Sequence, residues 1–99
     1  MAKRPGAMKR EIAVLHGRVQ GVGYREHVMQ VARRFRVAGT VGNLRSGALE
    51  IDAEGDDADV DKFLAAVVDE RPFFARVDHV ERRPAVPAGM REFVRAATG

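Results

Sequence analysis

Gly17-Arg18-Val19-Gln20-Gly21-Val22-Gly23-Tyr24-Arg25 divides two different hydrophobic periods, and its reading decides the fold. Before it, Ile12-Ala13-Val14-Leu15 is an apolar run of strand length. After it, Tyr24, Val28, Val31, Ala32 and Phe35 recur at helical spacing and form one apolar stripe. The stretch is therefore a glycine-rich strand-to-helix turn with an arginine at the helix entrance. Glycines allow backbone N–H groups to approach a ligand closely, because no Cβ intervenes. The helix N-terminus contributes partial positive charge, and Arg25 contributes a full one in a planar fork. These features converge on one small oxyanion such as phosphate.

The spacing Gly17, Gly21, Gly23 is not the G-x-G-x-x-G dinucleotide fingerprint, and no Gly-Lys-Ser/Thr follows. The loop lacks both a ribose-holding acid and a Mg²⁺-holding hydroxyl, so it suits phosphate rather than a nucleotide. On glycine content alone, a plain tight turn is the commoner explanation.

Outward from this loop, strand patterns fall at residues 9–16, Thr40–Arg45, Ala48–Glu54 and Val77–Arg83, with a short one in Glu92-Phe93-Val94-Arg95. The first strand places Ile12, Val14 and His16 on one face and Ala13 and Leu15 on the other. The third alternates Leu49, Ile51, Ala53 inward against Glu50, Asp52, Glu54 outward. Helix patterns cover Tyr24–Arg36 and the segment after Gly55-Asp56-Asp57, whose stripe is Val60, Phe63, Leu64, Val67, Val68. Gly39 is expected to cap the first helix, the aspartates to cap the second, and Ser46-Gly47 to form a two-residue hairpin turn. The order β-α-β-β-α-β with a short extra C-terminal strand predicts an α+β, ferredoxin-like sandwich. Its antiparallel sheet carries both helices on one face, with strands one and three central.

The 99 residues fit one domain, expected over residues 9–97 behind a flexible tail at residues 1–8. There is no cysteine, so thiol and disulfide chemistry are excluded. Met1–Met8 lacks the apolar core of a secretory signal, and a cytoplasmic location is expected. Residues 1–45 hold ten Lys/Arg against two acids, a balance of +8, whereas residues 46–99 hold seven against twelve, a balance of −5. A basic first half suits capture of an anion, although Arg33, Arg34 and Arg36 read as the solvated face of a helix. His16, His27 and His79 fall on separate elements without metal-ligand spacing, and His27 reads as an outward helix residue. Asp56, Asp57, Asp59 and Asp61 read as helix start and solvated face. No metal or other cofactor is expected.

Asn43 shares a face with Val41 by alternation, which places it on the helix-packed side. An unpaired buried amide costs on the order of 1–3 kcal/mol. An asparagine there either holds a polar partner such as a water beside a bound anion or merely helps to end the strand.

The run Gly17–Arg25 resembles the acylphosphatase signature G-x-V-Q-G-V-G-[FY]-R, and Gly39-Thr40-Val41-Gly42-Asn43-Leu44 before Ser46-Gly47 resembles that family's second signature. The resemblance extends from the first strand to Glu92-Phe93-Val94-Arg95. It implies hydrolysis of an acyl phosphate to a carboxylate and inorganic phosphate, without a metal. It also implies Arg25 as the phosphate-binding arginine and Asn43 as the residue orienting the attacking water. Gln20, Gly21, Val22, Gly23 and Tyr24 would supply phosphate-binding amides. The implied partner is the small-molecule substrate alone, with no nucleic acid or membrane, acting on a monomer. Tyr24 stands where phenylalanine is usual, Thr40 where tryptophan is frequent, and Glu70-Arg71-Pro72 in place of Gly-Pro. None of these departures touches Arg25 or Asn43.

Two other readings remain open from the sequence. One is a catalytically idle domain of the kind attached to carbamoyl-transfer maturation proteins; a chain stopping at Gly99 favours the stand-alone enzyme. The other is an RNA-binding sheet, disfavoured because residues 9–16 and 48–54 hold no aromatic for base stacking.

Overall fold

In a computed structural model, residues 8–99 are described. The expected tail at residues 1–8 lies outside them except for Met8, which opens the first strand. The elements are β1 (Met8–Arg18), α1 (Tyr24–Ala32), β2 (Val37–Asn43), β3 (Leu49–Asp56), α2 (Asp57–Asp69), β4 (Arg76–Ala85) and β5 (Phe93–Arg95). They form one five-stranded sheet in the order β4-β1-β3-β2-β5, with β1 and β3 central. This is the ferredoxin-like α+β arrangement that the element order predicts.

The four main strands pair antiparallel, but β5 runs parallel to β2, with Gly39, Thr40 and Val41 opposite Phe93, Val94 and Arg95. A wholly antiparallel sheet is thus corrected at one edge, and the topology explains why. The end of β4 lies beside the start of β1, where Ala85 pairs with Arg10. The start of β2 lies at that same end, where Val37 pairs with Gly55. A chain leaving β4 and crossing directly to the β2 edge must therefore run in the direction of β2.

Both helices cover one face, with α1 on β2 and β5 and α2 on β1 and β3. Ala13, Leu15, Val41, Leu49, Ile51 and Ala53 from the sheet meet Tyr24, Val28 and Val31 of α1 and Val60, Phe63, Leu64 and Val67 of α2. Phe63 stands edge-on to Phe35 at 6.2 Å and to Phe93 at 5.3 Å, between centroids. Burial of such apolar area is the main force holding the layers together, at about 25 cal/mol per Å².

Several local expectations are corrected. The first helix stops at Ala32, and Arg33, Arg34 and Phe35 donate to carbonyls three residues back as the turn tightens. Gly39 lies inside β2 and does not cap the helix. The hairpin closes through Leu44 and Ala48, with Gly47 N–H donating to the Leu44 carbonyl, so its loop has three residues. Asp56 precedes α2 without a side-chain cap hydrogen bond, and Asp57 and Asp59 in the first turn complement the helix dipole. Glu54 does point away from the helices, yet it is 3% exposed. Its carboxylate accepts hydrogen bonds from the Ala88 N–H at 2.7 Å and the Gly89 N–H at 2.9 Å. Those charge-assisted bonds fasten the crossing from β4 to β5.

Candidate active site

The turn after β1 and the end of β2 meet at one end of the sheet. Between them lies a cavity of about 150 Å³ lined by Val19, Gln20, Gly21, Gly23, Tyr24, Arg25, Glu26, Asn43 and Arg95. A larger cleft of about 590 Å³, between the start of β2 and the N-terminus of α2, occupies the opposite end and holds none of the signature residues. The smaller cavity thus gathers what the sequence separates by some twenty residues.

Gly23 caps α1 in the left-handed conformation, at φ 76° and ψ 20°, without any side-chain cap hydrogen bond. A Cβ there would meet nothing within 4 Å, so conformation rather than space selects glycine. The first N–H groups of α1 lack intrahelical acceptors and are claimed by no capping side chain. They form a positively polarised lip beside Arg25. Arg25 is half-buried and, among the described residues, makes no ion pair or side-chain hydrogen bond. A half-buried guanidinium with no internal partner is a ready anion site.

Of the loop residues expected at the phosphate, Gln20, Gly21, Gly23, Tyr24 and Arg25 line the cavity, whereas Val22 packs its side chain against the core. The Gln20 side chain has a further role that the spacing does not reveal. Its Nε2 donates to the Leu44 carbonyl at 2.8 Å and the Ala48 carbonyl at 2.9 Å. One amide NH₂ therefore ties the loop to the hairpin that follows Asn43. Asn43 itself is held from its other side. Its carbonyl accepts from the Gly99 N–H at 3.0 Å, while the Arg45 N–H donates to the Gly99 carbonyl at 2.8 Å and the Ala96 N–H to the Val41 carbonyl at 2.8 Å. Residues 96–99 thus extend the pairing begun by β5 and fix the backbone that presents the Asn43 amide to the cavity.

Tyr24 anchors the first turn of α1. Its ring is buried and its hydroxyl donates to the Val67 carbonyl at 2.8 Å. The Arg71 N–H turns to the Val68 carbonyl, which leaves Val67 without the usual donor four residues on. The phenol therefore satisfies an orphan helix carbonyl and joins α1 to α2. Burial pushes the Tyr24 hydroxyl up to about 12 from its ordinary value of 10.0. A raised acid pKa favours the neutral form in the folded state, so its contribution is complete below pH 10 and is lost as pH rises to 12. Tyr24→Phe is expected to cost about 1–2 kcal/mol at neutral pH by urea denaturation. It should also remove the extra alkaline destabilisation of the parent between pH 10 and 12.

His27 is not an outward residue. It stands edge-on to Tyr24 at 6.0 Å, and its Nε2 is buried without a hydrogen-bond partner among the described residues. His16 and His79 stack at 5.7 Å on the opposite, open face of the sheet. No group of three or more described His, Asp or Glu residues is arranged to hold a metal ion. No described helix is long and apolar enough to cross a membrane.

Two cavity residues escape the motif reading. Glu26 follows Arg25 in the first turn of α1 and pairs with Arg95 of β5, at 3.1 Å. A signal was present for Arg95, which lies two positions from the inward-packed Phe93 and so shares its face. Its neighbour across the cavity is set only by the parallel pairing of β5.

Comparison with known proteins fits this geometry. The acylphosphatase family model matches residues 12–94. An acylphosphatase of Methanospirillum hungatei is 38% identical over 73 residues, covering 74% of this chain and 80% of that protein. The crystal structure of acylphosphatase from Bacillus subtilis superimposes with a TM-score of 0.82 at 31% identity, covering 91% of this chain and 99% of the other. Full-length HypF, solved in a phosphate- and nucleotide-bound form, superimposes with a TM-score of 0.88 at 26% identity; the match covers 98% of this chain but 13% of HypF. A family match across both signatures, the whole sandwich and the cavity between them shows that the chain belongs to the acylphosphatase family of enzymes.

Proposed function

We propose that the chain hydrolyses acyl phosphates to a carboxylate and inorganic phosphate in the cavity between residues 20–25 and Asn43, using no metal. The observation that carries this reading is one cavity shared by Arg25, which has no ion pair or side-chain hydrogen bond among the described residues, the N-terminus of α1, which has no side-chain cap hydrogen bond, and Asn43. Arg25 clamps two phosphate oxygens, and the amides of about Gln20 to Tyr24 take the others. Asn43 holds a water in line with the bond that breaks. The water oxygen bonds to phosphorus as the P–O bond to the acyl group opens, and the electron pair leaves on the carboxylate. The water's proton passes to a phosphate oxygen, so no side-chain base is required.

The leaving group explains why so sparse a site suffices. A departing carboxylate has a conjugate acid of pKa about 4, so it leaves without protonation. Phosphoryl transfer depends chiefly on positioning and on stabilising charge. The residues assigned here to the site come from one chain, and action as a monomer is expected.

The similarity to full-length HypF, a structure that holds phosphate, leaves a second reading to be tested, a phosphate-binding domain without turnover. Hydrolysis of benzoyl phosphate in excess EDTA separates the two. Folded wild type is expected to turn over, while Arg25→Lys and Asn43→Ala, verified as folded by circular dichroism, collapse. Folded wild type that binds phosphate but does not hydrolyse points to the idle domain. Activity restored only by a divalent cation contradicts the metal-free mechanism.

A further inference from the structure

The cavity has an inner and an outer cation. Arg25 is half-buried beside the loop amides, whereas the Arg95 side chain is 57% exposed at the rim and is held by Glu26, itself 51% exposed. An acyl phosphate that enters phosphate-first, toward Arg25 and the uncapped helix N-terminus, presents its acyl portion outward to this rim. Arg95 is therefore aligned with the acyl end of the substrate rather than with the phosphoryl end. We propose that Arg95 is a specificity-determining residue that favours acyl phosphates whose acyl group carries a carboxylate. This rests on the hydrolytic reading given above.

Three features of the pair support that role. The two partners come from different elements, the first turn of α1 and the short edge strand β5, so either can turn without disturbing the core. An exposed ion pair holds weakly against water and salt, so a substrate carboxylate can take the place of Glu26 on the guanidinium. The planar guanidinium offers two parallel N–H donors to such a carboxylate. Glu26 in turn neutralises Arg95 when the site is empty and repels a carboxylate that misses it. The pair thus works as a selective rim: Arg95 attracts the second anion, and Glu26 sets how strongly it must compete.

The test compares benzoyl phosphate with 3- and 4-carboxybenzoyl phosphate, whose rigid rings keep the carboxylate away from the reacting centre. The readout is the ratio of kcat/KM for each carboxylated substrate to that for benzoyl phosphate, which cancels general effects on the site. Arg95→Ala is expected to lower the ratio about three- to fivefold for at least one isomer, through KM of the carboxylated substrate. Arg95→Lys, which keeps the charge, should retain part of the preference. Glu26→Gln removes the competitor and should raise the ratio. Ratios unmoved by both Arg95→Ala and Glu26→Gln, or loss of both substrates in equal proportion, overturn the proposal while leaving the hydrolytic reading intact. Absence of benzoyl phosphate hydrolysis in the folded wild type overturns both.

Discussion

Arg25→Ala is expected to lower kcat/KM for benzoyl phosphate by at least roughly 10²–10³-fold while leaving the fold intact. The two halves of this expectation have separate physical grounds. Arg25 gives no described side chain an ion pair or hydrogen bond, so its removal breaks no internal contact of that kind. Stability by urea denaturation should therefore stay within about 0.5 kcal/mol of wild type. The rate loss arises because a preorganised fork is replaced by nothing that can follow charge as it develops on the phosphoryl oxygens. Both kcat and kcat/KM should fall, since the interaction strengthens toward the transition state. A folded Arg25→Ala variant with activity near that of wild type contradicts the assignment.

The second large effect is on stability. Gly39→Ala is expected to cost more than about 3 kcal/mol, or to prevent folding outright. Gly39 adopts φ +146°, and a Cβ built on it would stand 1.7 Å from the Asp52 carbonyl oxygen and 2.7 Å from that carbonyl carbon. The obstacle is backbone of β3, paired in register with β2 at this position, and no side chain can swing aside to make room. Relief requires the two strands to part locally. The same residue donates its N–H to the Glu92 carbonyl at 2.8 Å at the start of the parallel β5 pairing, so that edge is disturbed too. A domain of this size has only some 5–15 kcal/mol in hand. Gly23→Ala supplies the comparison, because open space surrounds that position and only the left-handed conformation opposes it, at about 1–2 kcal/mol. Urea denaturation of both variants checks the ranking; a Gly39→Ala protein as stable as wild type contradicts the close strand approach.

Gly39 also shows where the sequence stops being legible. A glycine just past an amphipathic stripe reads as a helix cap, and nothing local distinguishes that use from a contact with a strand more than ten residues further on. Glu54 fails for a similar reason. Alternation does place it on the face away from the helices, but the amides of Ala88 and Gly89 that bury it arrive from a distant crossing. The parallel direction of β5 follows from which sheet edge the chain reaches, and three residues of strand pattern do not carry that information. Gln20 belongs to the signature loop, yet its side-chain bonds to Leu44 and Ala48 depend on the hairpin folding against it. By contrast, the apolar stripes of both helices and the inward residues of β3 report burial directly, because each is governed by a local period. The strand-to-helix turn is legible from the change of hydrophobic period at Gly17–Arg25, whereas residue pattern alone leaves the role of Asn43 open and only the resemblance of the two signatures implies one. The Arg95–Glu26 rim is not, since its two members meet only through tertiary structure.

The central claim is attack of water on phosphorus within this cavity. Hydrolysis of benzoyl phosphate by the wild-type protein in water enriched in heavy oxygen, followed by mass spectrometry of both products, addresses it most directly. The expected result is heavy oxygen in the inorganic phosphate and none in the benzoate, because the bond that breaks lies between phosphorus and the bridging oxygen. Heavy oxygen in the benzoate would show attack at the acyl carbon and would contradict the roles proposed for Arg25 and Asn43.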